Sequence, residues 1–227
     1  MIVPAAAGEL QDTPAEAAEV FGERLPLAQD FAHLLATVAV ERGLIGPREA
    51  PRLWTRHLLN SAAVSEWIPA GVEVTDIGSG AGLPGLPLAL ARPDLRITLV
   101  EPMARRARFL EEVVAALGVD VVVRRARAEE LAAASTDVVI ARAVAPLARL
   151  IPLALPALRA CGSLVALKGS TADAELAEAA AVLRRWPQAQ ARIVRAAAGG
   201  EPVTAVMIEL DVKLAHRTPS NGGGSPR

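Results

Sequence analysis

Seven short runs rich in branched aliphatic residues set the strongest limit on what this chain can fold into: VEVTDI (72–77), RITLVE (96–101), VDVVVR (119–124), TDVVIAR (136–142), GSLVALKG (162–169), ARIVRA (191–196) and VTAVMIEL (203–210). Runs of this length and composition read as strands. Between the first five lie stretches with helical spacing, including PMARRARFLEEVVAALG (102–118) and APLARLIPLALPALRA (145–160). Buried strands alternating with helices predict a mainly parallel sheet covered on both faces. Only AAAGGEP (196–202) separates the last two runs, a hairpin signal that makes one of them antiparallel to the rest. The expectation is an α/β fold with a seven-stranded, mostly parallel sheet.

Ahead of these runs, AEAAEVFGERLPLAQDFAHLLATVAVERGL (15–44) carries apolar residues at helical intervals, with Gly43 as a stop. PRLWTRHLLNSAAVSEW (51–67) is a second helical stretch, ending before Pro69. The organisation expected is therefore a flexible start (1–14), a helical extension (15–70), a ligand-binding α/β domain (71–212) and a tail (213–227). HRTPSNGGGSPR (216–227) is too polar and too rich in glycine and proline to order by itself.

Composition removes several classes of function. Hydrophobic residues make up 52% of the chain, but Arg142, Arg149 and Arg159 break its most apolar region into pieces far too short to span a bilayer. The start of the sequence has acids early and no basic segment before an apolar one, which is unlike a secretory signal, so a cytoplasmic location is expected. One cysteine and three dispersed histidines offer no metal-ligand spacing, and no metal is expected. Cys161 reads as a buried structural thiol. A formal net charge of -1 means that a nucleic-acid partner would need a local basic patch.

Directly after the first strand comes DIGSGAGLPGLPL (76–88). In an open α/β sheet, ligands bind beyond the carboxyl ends of strands, so this loop is in the right place. Gly78, Gly80 and Gly82 allow positive φ and close backbone approach, and no GK[ST] follows, which excludes a P-loop. Gly80, Gly82 and Gly85 fit GxGxxG, so a dinucleotide remains open. The same run reads as DxGxGxG with Asp76 at the strand end, an arrangement suited to a charged amino-acid moiety. Glu101, 23 residues beyond Gly78, is placed to accept both ribose hydroxyls of an adenosine, a contact common to NAD and S-adenosylmethionine.

If the ligand is a methyl donor, the acceptor can be narrowed. The chain has ARAVAPL (141–147) where enzymes acting on exocyclic amines carry an Asn/Asp-Pro-Pro-aromatic segment, and Cys161 is misplaced for attack on pyrimidine C5. Transfer to an atom with a free lone pair, such as guanine N7, survives, and it needs alignment rather than a general base.

The segments RHLLNS (56–61), VTDIGSGAGLPGLPL (74–88), LVEPMARRARFL (99–110), ARAEEL (126–131), ARAVAPL (141–147) and VALKG (165–169) occur in an order and spacing that resembles the bacterial ribosomal small-subunit methyltransferase G family, also called glucose-inhibited division protein B. The resemblance runs from about residue 20 to 210. It implies a Rossmann-like class I methyltransferase that moves a methyl group from S-adenosylmethionine to N7 of guanosine 527 in 16S rRNA. It further implies that Gly78 and Leu83 touch the cofactor, that Glu101 ends the second strand as the acidic contact, and that Ala128 and Glu129 lie beside the adenine. Arg142 falls on the arginine that faces cofactor and substrate. Family members often show Asn-Leu-Thr where this chain has Gly43, Leu44 and Ile45, and Asp where it has Asn60.

The RNA patch is expected from arginines. Arg105, Arg106 and Arg108 begin the helix after Glu101, Arg124, Arg125 and Arg127 end the third strand, and Arg56 lies on the extension. Among 24 basic residues only Lys168 and Lys213 are lysine, so a lysine closing the fifth strand points to a site that wants a compact ammonium, with a phosphate or base contact as its expected role. Arg142 and Lys168 are thus the expected catalytic pair in a monomer acting on 16S rRNA or the small ribosomal subunit. With no tyrosine and 3% aromatic residues, base stacking has little material. Two rivals remain: an NAD-dependent oxidoreductase, and a cofactor-sensing RNA-binding protein without turnover.

Overall fold

The computed structural model describes residues 10–197 and 202–211. The expected tail, residues 1–9 of the expected flexible start, and residues 198–201 between the last two strands lie outside the described residues.

Seven strands form one sheet: β1 (Glu73–Ile77), β2 (Arg96–Val100), β3 (Val121–Arg124), β4 (Thr136–Arg142), β5 (Leu158–Leu167), β6 (Ala189–Ala196) and β7 (Val203–Leu210). Their order is β3-β2-β1-β4-β5-β7-β6, with β1 to β5 paired in parallel and β7 antiparallel to both β5 and β6. The reversed strand anticipated at the end of the chain is β7.

Alternation along each strand divides the core. Val138 and Ile140 of β4 face a core that includes α1 (Glu16–Phe21), α2 (Leu25–Leu34), α3 (Leu59–Ala62), α4 (Gly85–Ala91) and α5 (Ala104–Leu117). Val139 and Ala141 face the opposite core, built on α6 (Leu147–Ala154) and α7 (Ala172–Leu183). The N-terminal extension is therefore one wall of the sheet's own core. Phe21 and Trp54, ring centroids 6.3 Å apart and edge to face, knit its two halves.

Three local expectations change. Helical structure in the second half of the extension begins at Pro47, ahead of the expected Pro51. The helix expected over 145–160 ends at Ala154, because Pro156 has no N–H to return to the preceding turn, and β5 starts at Leu158. Cys161 lies inside β5 and is exposed, with φ +63°. The expected buried thiol is thus corrected: an irregular pairing between β4 and β5 turns this side chain out of the core.

Candidate active site

The sheet continues outward from β1 through β2 and from β4 through β5, so the loops leaving Ile77 and Arg142 diverge and open a crevice between them. Gly78, Gly80 and Gly82 line the first loop at φ +70°, +59° and +94°. Amides of Gly78 and Ser79 donate to Val100 O at 2.8 and 3.2 Å, which binds the loop to β2. A Cβ on Gly80 would meet only Gly78 O at 3.8 Å, so the loop presents bare backbone at this point. Leu83 is half-buried and packs against the core beside the loop.

Asp76 lies wholly beneath this loop. Its Oδ2 accepts the Gly85 N–H at 3.1 Å, while Oδ1 has no partner. Burial, with some help from the neighbouring Glu101 charge, pushes its pKa up to about 7. The fully covered carboxyl shapes the loop from below.

Glu101 is also almost fully covered. Oε2 accepts Gly80 N–H at 3.0 Å and Oε1 accepts Met103 N–H at 2.9 Å, with Arg106 at 4.0 Å. The carboxylate ties the glycine loop to the start of α5, and each oxygen keeps a second lone pair for a hydroxyl donor. Ala128, half-buried, and Glu129, exposed, open the short 3-10 turn Ala128–Glu130 after β3. The exposed Met103 stands in the loop between Glu101 and α5. This end of the sheet thus combines bare glycine backbone, an acid with spare acceptor capacity and apolar surface. Those features fit an adenosine-bearing cofactor with a charged amino-acid end.

On the other side of the crevice lies a cleft of about 930 Å³ whose lining includes Arg52, Arg56, Asn60, Arg142, Val144 and Lys168. Arg142 at the end of β4 is turned into the extension. It donates to Ser61 Oγ at 3.2 Å, Arg56 O at 3.2 Å and His57 Nδ1 at 2.9 Å. Burial lowers its pKa from the ordinary arginine value. Arg56 is itself 3.8 Å from Glu49.

Lys168 has an inward role that its rarity in the sequence did not disclose. Its side chain is 7% exposed, donates to Ala145 O at 2.6 Å and pairs with Glu175 Oε2 at 2.8 Å. The same Glu175 oxygen accepts Leu147 N–H at 2.8 Å. Lysine and glutamate together bracket the loop after β4, where Ala143 is held at φ +55°. In this structure the covered ammonium, with two partners, supports the loop.

The remaining candidate cations fall elsewhere. Arg105 joins Arg42, Arg108 and Arg125 around a separate cavity of about 590 Å³ that also contains Glu111 and Glu112. Arg106 instead turns toward Glu101. The candidate cations thus form two groups: one in the cleft, the other beside α5.

Residues 24–200 match the family model described as rRNA small subunit methyltransferase G. The chain belongs to that family. A member named ribosomal RNA small subunit methyltransferase G from Thermobifida fusca is 53% identical over 223 residues, covering 93% of this chain and 94% of its own. One of the same name from Mycobacterium sp. strain JLS is 51% identical over 211 residues, covering 91% and 92%. Among solved structures, a Corynebacterium glutamicum protein aligns over 89% of this chain and 92% of its own with TM-score 0.53 and 19% identity. TYW2 from Pyrococcus horikoshii, in complex with MeSAdo, aligns over 68% and 62% with TM-score 0.53 and 13% identity. These likenesses show the fold alone.

In this member of the rRNA small subunit methyltransferase G family, sequence reasoning missed Glu49, Val144 and Glu175. Glu49 lies eight residues before His57 and Glu175 seven residues after Lys168, but across a change of secondary structure in each case, so no spacing rule pairs them. Val144 lies within ARAVAPL, and its exposure and its position against Gly78 are visible only in three dimensions. Among the described residues, no helix is long and apolar enough to cross a membrane, and no cluster of three His, Cys, Asp or Glu side chains is placed to hold a metal ion.

Proposed function

We propose that this chain methylates N7 of guanosine 527 in 16S rRNA, working as a cytoplasmic monomer with S-adenosylmethionine as donor. Family membership supports the reaction, and the observation that carries the placement is the cationic cleft adjoining the bare glycine loop at the switch between β1 and β4. The cofactor supplies an electrophilic methyl group on a sulfonium.

Guanine N7 already has a lone pair, so the protein has no proton to remove. Its work is alignment, which can contribute roughly 7–11 kcal/mol to such a transfer. Gly78, Gly80, Gly82 and Leu83 would hold the cofactor's amino-acid end, with backbone bare at Gly80, Glu101 would take ribose hydroxyls, and Ala128 and Glu129 would flank the adenine. Arg56 and Arg142 would hold the RNA in the cleft, while Arg105 and Arg106 would contact more distant backbone. Positive charge in the cleft assists docking more than chemistry, because methyl transfer only relocates a positive charge from sulfur to the base. Lys168 and Glu175 keep the cleft wall in shape.

The test is mass mapping of 16S rRNA from a strain lacking the protein. Loss of one 7-methylguanosine, restored by wild type and not by Gly80→Asp, is expected; an unchanged 7-methylguanosine content refutes the reading.

A further inference from the structure

Arg142 can only donate hydrogen bonds, so the 2.9 Å contact of its Nη2 with His57 Nδ1 requires Nδ1 to be the acceptor. The imidazole must then carry its proton on Nε2, which lies 2.7 Å from Glu49 Oε2 and donates to it. Glu49, His57 and Arg142 are in this way linked in one direction, from the extension to the end of β4. Three of the five N–H groups of Arg142 are taken by Ser61, Arg56 and His57, leaving Nε–H and one Nη1–H on a side chain that lines the cleft.

We infer that Glu49 and His57 are positioning residues that fix the Arg142 guanidinium at the wall of the substrate cleft, so that the helical extension sets the geometry of the methyl-transfer site. The inference rests on the methyltransferase reading. Its physical core is the exclusivity of the link. A protonated His57 presents N–H at both ring nitrogens, so Nδ1 would face a donor with a donor and one cation with another. Arg142 would be released while Glu49 stayed bound.

The groups that face His57 are Glu49 from the 3-10 turn Pro47–Arg52, Arg56 from its own turn and Arg142 from β4; Arg52 acts on Glu49. Burial first, and then the Arg142 charge, hold the imidazole pKa below its usual 6.5, while Glu49 works the other way. The neutral tautomer is thus the working form at neutral pH. The acid side of the activity profile should follow this one ring.

The experiment has two arms on the full-length protein. Nitrogen-15 NMR of the imidazoles should show His57 as the Nε2–H tautomer, and its titration should fall to lower pH in Glu49→Gln, whose amide oxygen can still accept Nε2–H. Steady-state transfer to 16S rRNA, measured from pH 5 to 8, should lose activity on the acid side with the same midpoint as the NMR titration. That acid loss should move to lower pH in Glu49→Gln and disappear in His57→Asn, whose side-chain oxygen can accept from Arg142 without titrating. His57→Ala should lower kcat/KM about tenfold at pH 8, the expected effect of losing a hydrogen bond to a charged group, with His57→Asn recovering most of it. An acid limb that ignores Glu49→Gln, or a Nδ1–H tautomer, overturns the relay. Absence of methyl transfer by the wild-type protein at every pH would instead overturn the methyltransferase reading, leaving the NMR arm to judge the geometry.

Discussion

Val144 is seated on Gly78. A Cβ built on Gly78, which stands at φ +70°, would come within 2.8 Å of Val144 Cγ2. The contact joins the loop after β1 to the loop after β4 across the crevice, so each side of the site limits where the other can lie. We expect Gly78→Ala to destabilise the protein by more than the roughly 1–2 kcal/mol of left-handed backbone strain, because the new methyl collides as well. Adding Val144→Ala should remove the collision and leave the strain. A double-mutant cycle by thermal unfolding checks this, and a coupling of about 1 kcal/mol is expected. Additive changes would mean that the two loops are not mechanically joined.

Gly80 and Gly85 make an opposing pair. A Cβ at Gly85 would overlap the Leu99 Cδ2 methyl and stand 2.7 Å from Asp76 Oδ2, whereas one at Gly80 would meet only Gly78 O, at an ordinary 3.8 Å. Gly85→Ala should therefore act on stability, costing about 1–3 kcal/mol from overpacking. Gly80→Ala should cost about 1–2 kcal/mol in backbone strain and act mainly on S-adenosylmethionine affinity, because its methyl fills the space above the loop. Calorimetric titration with the cofactor beside chemical unfolding separates the two. Equal affinity losses in both variants would contradict this division.

The fold and the glycine loop were readable because they obey local rules. Strand runs such as TDVVIAR carry the alternation that sends Val138 and Ile140 to one core and Val139 and Ala141 to the other. Asp76 and Glu101 could be located at strand ends but not assigned their partners, since the direction of a side chain depends on how the loop folds over it. Lys168 is the plainest case. Its rarity singled it out, but residue type does not say that the first turn of α7 brings Glu175 to it. Cys161 failed for the converse reason: a β-bulge reverses which side of the strand faces the core, and composition cannot register a bulge.

Lys168 and Glu175 should behave as one unit. Removing either partner leaves a mostly covered charge behind, which can cost about 3–5 kcal/mol in a fully buried pair and less here, where Glu175 is 21% exposed. We expect Lys168→Met and Glu175→Gln each to lower Tm and weaken binding of a 16S rRNA fragment while leaving cofactor affinity within about threefold, a shift of under 1 kcal/mol. The double variant should be less destabilised than the sum of the two. Unfolding and filter-binding measurements on the three proteins decide it. Full RNA affinity in Glu175→Gln combined with its loss in Lys168→Met would restore Lys168 as a direct RNA contact.

Asp76 is expected to make stability fall as pH rises from 3.8 to about 7. Its folded pKa of about 7 lies above the ordinary 3.8, so between those values the folded protein holds a proton that the unfolded chain has released. The stabilisation is complete below 3.8 and is lost as pH rises through about 7, with a total on the order of 4 kcal/mol at about 1.4 kcal/mol per pH unit. Asp76→Asn keeps an oxygen for Gly85 N–H and cannot ionise. Guanidinium unfolding at pH 5, 6, 7 and 8 should show the stability of the wild type declining relative to Asp76→Asn, with the variant gaining most at pH 8. Parallel curves would mean that Asp76 is already ionised in the folded protein at pH 5. Its unpartnered Oδ1 would then be a buried negative charge without a donor, which the covered position beneath the glycine loop makes the costlier arrangement.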